Sequence, residues 1–215
     1  MKKLCVTLIA GMVLIGMNSI SHAAIITDFD SGVEGWTSNY PSEISWSSTG
    51  GNPNGYIRFS DVSGGAAYIY APSQYLGDWS SIDGTGYISF DHTILNIGVN
   101  PTYYPYQIVI SGPGGEAEWV GATPSQTTPW QTINAPIVET EWTVSSGSWS
   151  ELLLDVSNFA IRIELISNAE PTGPEGLDIA GIDNVQLSAI PIPGAFWLLG
   201  SGLLGLVGIR KKGMS

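Results

Sequence analysis

Apolar and polar positions alternate over short stretches through the middle of the chain. Gly55-Tyr-Ile-Arg-Phe-Ser60 sets Tyr56, Arg58 and Ser60 opposite Ile57 and Phe59. The same period of two recurs over residues 67–70, 87–91 and 107–111, the mark of strands with one face in a core. Turn clusters punctuate them: Thr49-Gly-Gly-Asn-Pro-Asn-Gly55, Asp83-Gly-Thr-Gly86, Gly112-Pro-Gly-Gly115 and Pro171-Thr-Gly-Pro174. No stretch carries the capped 3.6-residue pattern of a long helix, and a single helical turn is expected over residues 150–156. With no repeat of 20 to 50 residues to indicate a propeller or solenoid, about ten short strands at this spacing predict an all-β fold, an antiparallel jelly-roll sandwich.

The two ends break this pattern. Lys2 and Lys3 precede an apolar run over residues 4–17, and Ser21-His22-Ala23 offers a small-x-small cleavage site, so residues 1–23 read as a signal peptide. Cys5 lies inside that run and is the one cysteine of the chain. Cleavage after Ala23 therefore leaves a domain without disulfides, thiol chemistry or cysteine metal ligands. At the other end, residues 194–209 carry no charge and as a helix would extend about 24 Å. Pro191, Ile192 and Pro193 precede this run, and Arg210, Lys211 and Lys212 follow it, the arrangement of a membrane-crossing helix with cations on its cytoplasmic side. The expected organisation is signal peptide 1–23, domain 24–188, linker 189–193, and helix with basic tail 194–215.

Removing the ends sharpens the charge. Five of the seven basic residues fall in them, so the domain keeps Arg58 and Arg162 against all 19 acidic residues. Such a surface repels phosphate backbones, which excludes nucleic acid as a partner. It suits a secreted surface kept apart by self-repulsion, and outside the cell its carboxylates have calcium available as an oxygen-bound ion.

Two resemblances rest on particular residues. The order of Pro191-Ile192-Pro193, an apolar helix with Trp-Leu-Leu-Gly-Ser-Gly-Leu-Leu-Gly-Leu, and Arg210-Lys-Lys212 resembles a PEP-CTERM sorting signal, nearest the variants reading Val-Pro-Leu-Pro. Ile192 stands where the namesake motif has Glu. The resemblance implies recognition by an exosortase in the inner membrane, then passage to the surface or extracellular matrix of a Gram-negative, exopolysaccharide-making bacterium. The second involves Asp28-Phe-Asp-Ser-Gly-Val-Glu-Gly-Trp36, Tyr70-Ala-Pro-Ser-Gln-Tyr-Leu-Gly-Asp78, Ile88-Ser-Phe-Asp91, Gln107-Ile-Val-Ile-Ser-Gly112, Leu152-Leu-Leu-Asp-Val-Ser-Asn-Phe-Ala-Ile-Arg162 and Ala180-Gly-Ile-Asp-Asn-Val-Gln-Leu187. In order and spacing these blocks are similar to the laminin IV (laminin B) domain. That implies a galactose-binding or carbohydrate-binding-module-like jelly roll acting as a non-catalytic extracellular module.

Four constellations are candidates for chemistry. In jelly rolls of the carbohydrate-binding type the first and last strands meet around a structural calcium. Asp28 and Asp30, placed on one face of the first strand, and Asp183, in the last strand, are the expected ligands, with carbonyl oxygens from residues 52–55 completing a set of six to eight. The alternative is that Asp183 hydrogen-bonds backbone while Asp28 and Asp30 are solvated. His92 is the histidine left after Ala23. It is expected at the surface or core edge, pointing away from Asp91, with no Gly-x-Ser-x-Gly elbow or His-Glu-x-x-His to make a catalytic site. Glu116 and Glu118 share a strand face, but among 19 acidic residues such a pair carries little weight for glycoside hydrolysis. Finally, aromatic rings stack on sugar C–H faces, and Tyr103, Tyr104 and Trp119 are the expected ligand-binding group, whereas Trp36, Trp46 and Trp79 are expected in the core. The function expected from all this is a non-enzymatic surface or matrix protein making adhesive or exopolysaccharide contacts; the alternatives are a secreted glycan-active enzyme and a plain structural protein.

Overall fold

The computed structural model describes residues 24–62, 65–97, 101–168 and 178–189. The expected signal peptide, the Pro-x-Pro motif at Pro191 to Pro193, and the apolar helix with its Arg210, Lys211 and Lys212 tail lie outside the described residues. Among those described, no helix is long and apolar enough to cross a membrane.

Among the described residues fourteen strands form: β1 Ile25–Thr27, β2 Thr37–Ser38, β3 Ile44–Ser47, β4 Tyr56–Ser60, β5 Tyr68–Tyr70, β6 Gly86–Ile97, β7 Pro101–Tyr103, β8 Gln107–Gly112, β9 Gly115–Val120, β10 Thr128–Ile137, β11 Trp142–Gly147, β12 Asn158–Arg162, β13 Ile166–Asn168 and β14 Asp178–Ala189. One six-stranded sheet has the order β10-β6-β14-β4-β3, with β1 also on β14, and the other has β11-β9-β8-β12-β5-β2. All their pairings are antiparallel. A small ribbon, β7 with β13, stands apart. The architecture is the antiparallel β-sandwich that the alternation predicts. The expected helical turn is α1, Trp149–Leu154, capped by Ser148, whose Oγ accepts from the Glu151 amide at 3.4 Å. That Ser-x-x-Glu spacing is a helix start signal, and the helix buries Trp149, Leu152 and Leu153.

The last strand carries the first sheet. On one side β14 pairs with β6 along most of its length. On the other it pairs with β4 through Ile179 to Ile182, and with β1 through Val185 to Leu187. Both runs are interrupted at Asp183 and Asn184, where the β6 register shifts and Asn184 adopts φ 49°. The extra residue bends the strand, as a bulge does, and opens a notch between β1 and β4.

Between the sheets, Phe159 of β12 packs against Trp36 and Trp79 at ring-centroid distances of 5.8 Å each and against Tyr75 at 5.9 Å. The Tyr75 hydroxyl lies 2.8 Å from both Thr27 Oγ1 of β1 and the Val185 carbonyl of β14, and burial pushes its phenol up to about 12. A ring satisfied at its polar tip adds direction to apolar burial. Trp36 and Trp79 are thus core as expected, but Trp46 is 40% exposed. It sits on an edge strand and covers the 28–30 turn, donating from Nε1 to the Phe29 carbonyl at 2.6 Å.

Phe159→Ala removes the ring that three others share. A buried Phe→Ala change costs about 3–5 kcal/mol, so in thermal unfolding the midpoint is expected to fall by roughly 10 °C. A drop under 2 °C would show that this cluster is not central to the fold.

Candidate functional site

The outward faces of the two sheets differ. That of the β6–β14 sheet is covered at its centre by its own chain, with Ile26 and Leu95 left exposed toward its margins. Tyr56 and Trp130 meet edge to face at 5.4 Å over Gly181, where an added Cβ would come within 2.9 Å of both rings. Trp130 Nε1 donates to the Gly50 carbonyl at 2.9 Å, tying the 47–56 loop down beside them.

Beneath that loop lie the acids of the notch. Asp91 of β6 and Asp183 of β14 are register partners, like charges placed opposite each other at a normally unfavourable position. Hydrogen bonds hold them there. Asp183 accepts from the amides of Asn52 at 2.6 Å and Asn184 at 2.7 Å. Asp91 accepts from Asn184 Nδ2 at 2.8 Å, Asn52 Nδ2 at 3.0 Å and Thr132 Oγ1 at 2.6 Å. Asn184 Nδ2 also donates to the Asn52 carbonyl. Burial pushes the Asp183 carboxyl up to about 6 against those backbone amides, with Asp91 and Asp30 adding to the rise.

The sequence expectation placed Asp28 and Asp30 within the first strand. The structure ends β1 at Thr27 and turns the chain through Phe29 at φ 50°, so both carboxylates are exposed. Asp28 Oδ1 accepts from the Asp30 amide at 3.2 Å, and Asp30 Oδ2 from Asn54 Nδ2 at 3.2 Å. The 52–55 loop does reach Asp183, but through the Asn52 N–H and not through a carbonyl oxygen. Among the described residues, no three His, Cys, Asp or Glu side chains are gathered as a metal site. Both Asp183 oxygens accept from backbone N–H groups while Asp28 and Asp30 face solvent, which is the alternative arrangement the sequence allows.

His92 is expected at the surface or core edge and is instead fully buried. Asp91 and His92 do face opposite ways, and it is the His92 side that meets the core. Its ring packs edge-on to Tyr106 at 5.2 Å, and desolvation holds the imidazole down near 3, so it is neutral.

The outward face of the other sheet is open and carries aromatic and polar side chains in two cross-strand rows. One runs Thr37–Tyr70–Ala160–Val109–Glu118–Thr143, each a register partner of the next. The other holds Tyr68 beside Arg162, and Gln107 beside Val120. Tyr68 on β5 donates from its hydroxyl to Gln107 Oε1 on β8 at 2.6 Å. Two strand spacings separate β5 from β8, about 10 Å, so the tyrosine side chain reaches across β12. Arg162 of β12 spreads over the Tyr104 ring, 4.1 Å from its centroid, with Nε donating to the Glu164 carbonyl at 2.7 Å. Burial raises the Tyr68 phenol, against the pull of Arg162.

Of the expected aromatic group, Tyr104 joins this face. Tyr103 is half-buried in β7 opposite Ile166. Trp119 is 8% exposed, because on β9 it shares the inward side with Ala117 and packs into the core. Tyr68, Gln107 and Arg162 are absent from the sequence expectation. The alternation at residues 67–70 marks Tyr68 as facing away from Ile69, but their meeting depends on a strand order, β8-β12-β5, unrelated to sequence order.

No family model matches the sequence, and no curated protein matches it. Solved structures share the fold. The L4b domain of human laminin alpha-2 superposes with a TM-score of 0.55 at 11% identity, over 79% of this chain and 98% of that one. The N-terminal CBM22-1–CBM22-2 tandem domain of Paenibacillus barcinonensis Xyn10C does so with a TM-score of 0.50 at 14% identity, over 77% of this chain and 49% of that one.

Proposed function

We propose that the domain is a non-catalytic, glycan-contacting module of an exported surface or matrix protein, and that the outward face of the β8–β12–β5 sheet makes the contact. The observation that carries this reading is Tyr68, laid across β12 by its bond to Gln107 next to Arg162 stacked on Tyr104. A half-buried tyrosine ring on the outward face can stack on a sugar's C–H face, and the flanking guanidinium, amide and Glu118 carboxylate supply donors and acceptors for hydroxyls. The shared fold with a carbohydrate-binding-module tandem supports it, as does the likeness to a laminin domain for an extracellular, architectural setting.

A structural calcium belongs to this reading. Asp183 and Asp30, with Asp28 brought round from its turn, would hold it beside the 52–55 loop, offsetting the repulsion from Asp91 and Asp30 that adds to the effect of burial on the Asp183 carboxyl. Export through the signal peptide and sorting by an exosortase acting at Pro191-Ile192-Pro193 complete the proposal, with the apolar run of residues 194–209 held in the membrane during transit and Arg210, Lys211 and Lys212 on the cytoplasmic side.

Affinity electrophoresis through gels containing soluble xylan, mixed-linkage β-glucan or the producing cells' exopolysaccharide tests the glycan face. Retardation by at least one polymer is expected, with Tyr68→Ala weakening it about tenfold, the equivalent of ~1.4 kcal/mol. Free migration of the wild type in every gel overturns the reading. For calcium, a chelator is expected to lower the thermal midpoint and added calcium to restore it, and an unchanged midpoint removes the ion from the proposal. For sorting, mass spectrometry of mature protein from native cells is expected to find a C-terminus upstream of Arg210; recovery of intact Lys212 on surface protein counts against processing.

A further inference from the structure

Behind the Tyr68 face lies a carboxyl that the glycan contact does not use. Glu164 follows β12 and is 2% exposed. Its Oε2 accepts from the Ala67 amide at 2.9 Å, and Ala67 directly precedes Tyr68. The Ala67 carbonyl in turn accepts from the amides of Ile163 at 3.0 Å and Glu164 at 3.4 Å. The Glu164 carbonyl receives the Arg162 Nε proton at 2.7 Å, and that guanidinium lies over Tyr104. One residue thereby fixes the start of β5, and so Tyr68, together with the root of Arg162.

We infer that Glu164 is a positioning residue for the Tyr68–Arg162–Tyr104 face, and that its protonation sets how firmly this face is held. The inference rests on the glycan reading for its functional meaning, but the clamp itself does not. Its surroundings make it sensitive to protons. Asp61, which follows β4, and Glu43, which precedes β3, face Glu164 from the other sheet, and Arg162 faces it from β12. Asp178 at the start of β14 senses both Asp61 and Glu164. Glu43, Asp61, Glu164 and Asp178 are each 5% exposed or less. Carboxyls packed this closely do not all ionise together. Burial is the main cause that pushes Glu164 up to about 7, with Asp61 and Glu43 adding to it and the Ala67 amide and Arg162 opposing it.

The direction follows from charge. While Glu164 is protonated, Arg162 is free to spread over Tyr104. Once ionised, the carboxylate accepts more strongly from the Ala67 amide, but it also attracts the adjacent guanidinium in a low-dielectric setting and draws it from the Tyr104 ring, while Asp61 and Glu43 repel the new charge. The Arg162–Tyr104 part of the face loosens as the pH rises through neutrality, with the start of β5 still held. Stability moves the same way. The unfolded chain gives up this proton near 4.5 and the fold keeps it to about 7, so stability from this group falls as pH rises between those values and is level above them.

A nitrogen-15 NMR titration of the full chain from pH 5 to 9 tests the clamp without a ligand. The Ala67 amide and Arg162 Nε–H signals are expected to shift together with a midpoint near 7, and to stay flat in Glu164→Gln, which keeps the acceptor and loses the titration. Flat signals in the wild type, or an unchanged titration in the variant, overturn the inference. In gels containing mixed-linkage β-glucan, wild-type affinity is expected to fall at least about fivefold from pH 6 to pH 8, within the usual range for two coupled sites, with Glu164→Gln showing no such fall. Absence of binding to xylan, mixed-linkage β-glucan and the exopolysaccharide alike at every pH, with the NMR titration intact, overturns the glycan reading and leaves the clamp standing. Glucan binding that does not change with pH overturns the regulatory part of the inference.

Discussion

A strand can hydrogen-bond along two edges only, and β14 meets three partners by dividing one edge between two of them. That division depends on the irregularity at Asp183 and Asn184, where β4 contacts end and β1 contacts begin. Much else follows from it. The notch admits the 50–55 loop, and the Asn52 amide of that loop joins the Asn184 amide of β14 itself in holding Asp183 opposite Asp91. The loop needs glycine at close approach, since a Cβ at Gly51 would lie 2.7 Å from the Asp183 carboxylate and one at Gly55 2.3 Å from the Phe29 carbonyl. Sequence far from the last strand is thus constrained by a bulge within it. On the inner side, Tyr75 bonds β1 and β14 just beyond the same break.

The alternation of residues 56–60, 68–70, 87–91 and 107–111 was legible because each of these strands buries one face, and period two reports that directly. Strand β10 was not legible. Pro129 and Pro136 lie within it, and a proline in a central strand would remove a ladder bond. As the outermost strand of its sheet, β10 has one edge where a missing amide costs nothing, and only the sheet order reveals this. His92 shows a different limit. Alternation separates it correctly from Asp91 but does not say which side is the core, and polar Asp91 and His92 offer no apolar vote between them. Trp119 followed a glycine-rich turn and read as a loop-tip aromatic, but its register with Trp142 places it inside.

For the candidate face, single residues carried the clue and their assembly did not. Arg162 stood out as one of the domain's two basic residues, and Tyr104 as part of an aromatic run. What joins them to Tyr68 and Gln107 is the pairing of strands distant in sequence, together with a tyrosine long enough to cross its neighbour. The acids divide in a comparable way. Charge counting gives their number, but only the fold shows that Glu43, Asp61, Glu164 and Asp178 are buried at the seam between sheets while Asp28, Asp30 and Glu116 face solvent.

The Tyr56–Trp130 lid over Gly181 has a consequence for how the molecule meets anything extended. With the centre of one sheet's outer side covered by its own loop, the two flanks of the sandwich are not equivalent. On the proposed glycan reading, a polymer laid on the Tyr68 face meets one patch per copy. Firm attachment on that reading then needs many copies arrayed on a common support, where weak individual contacts add through their number.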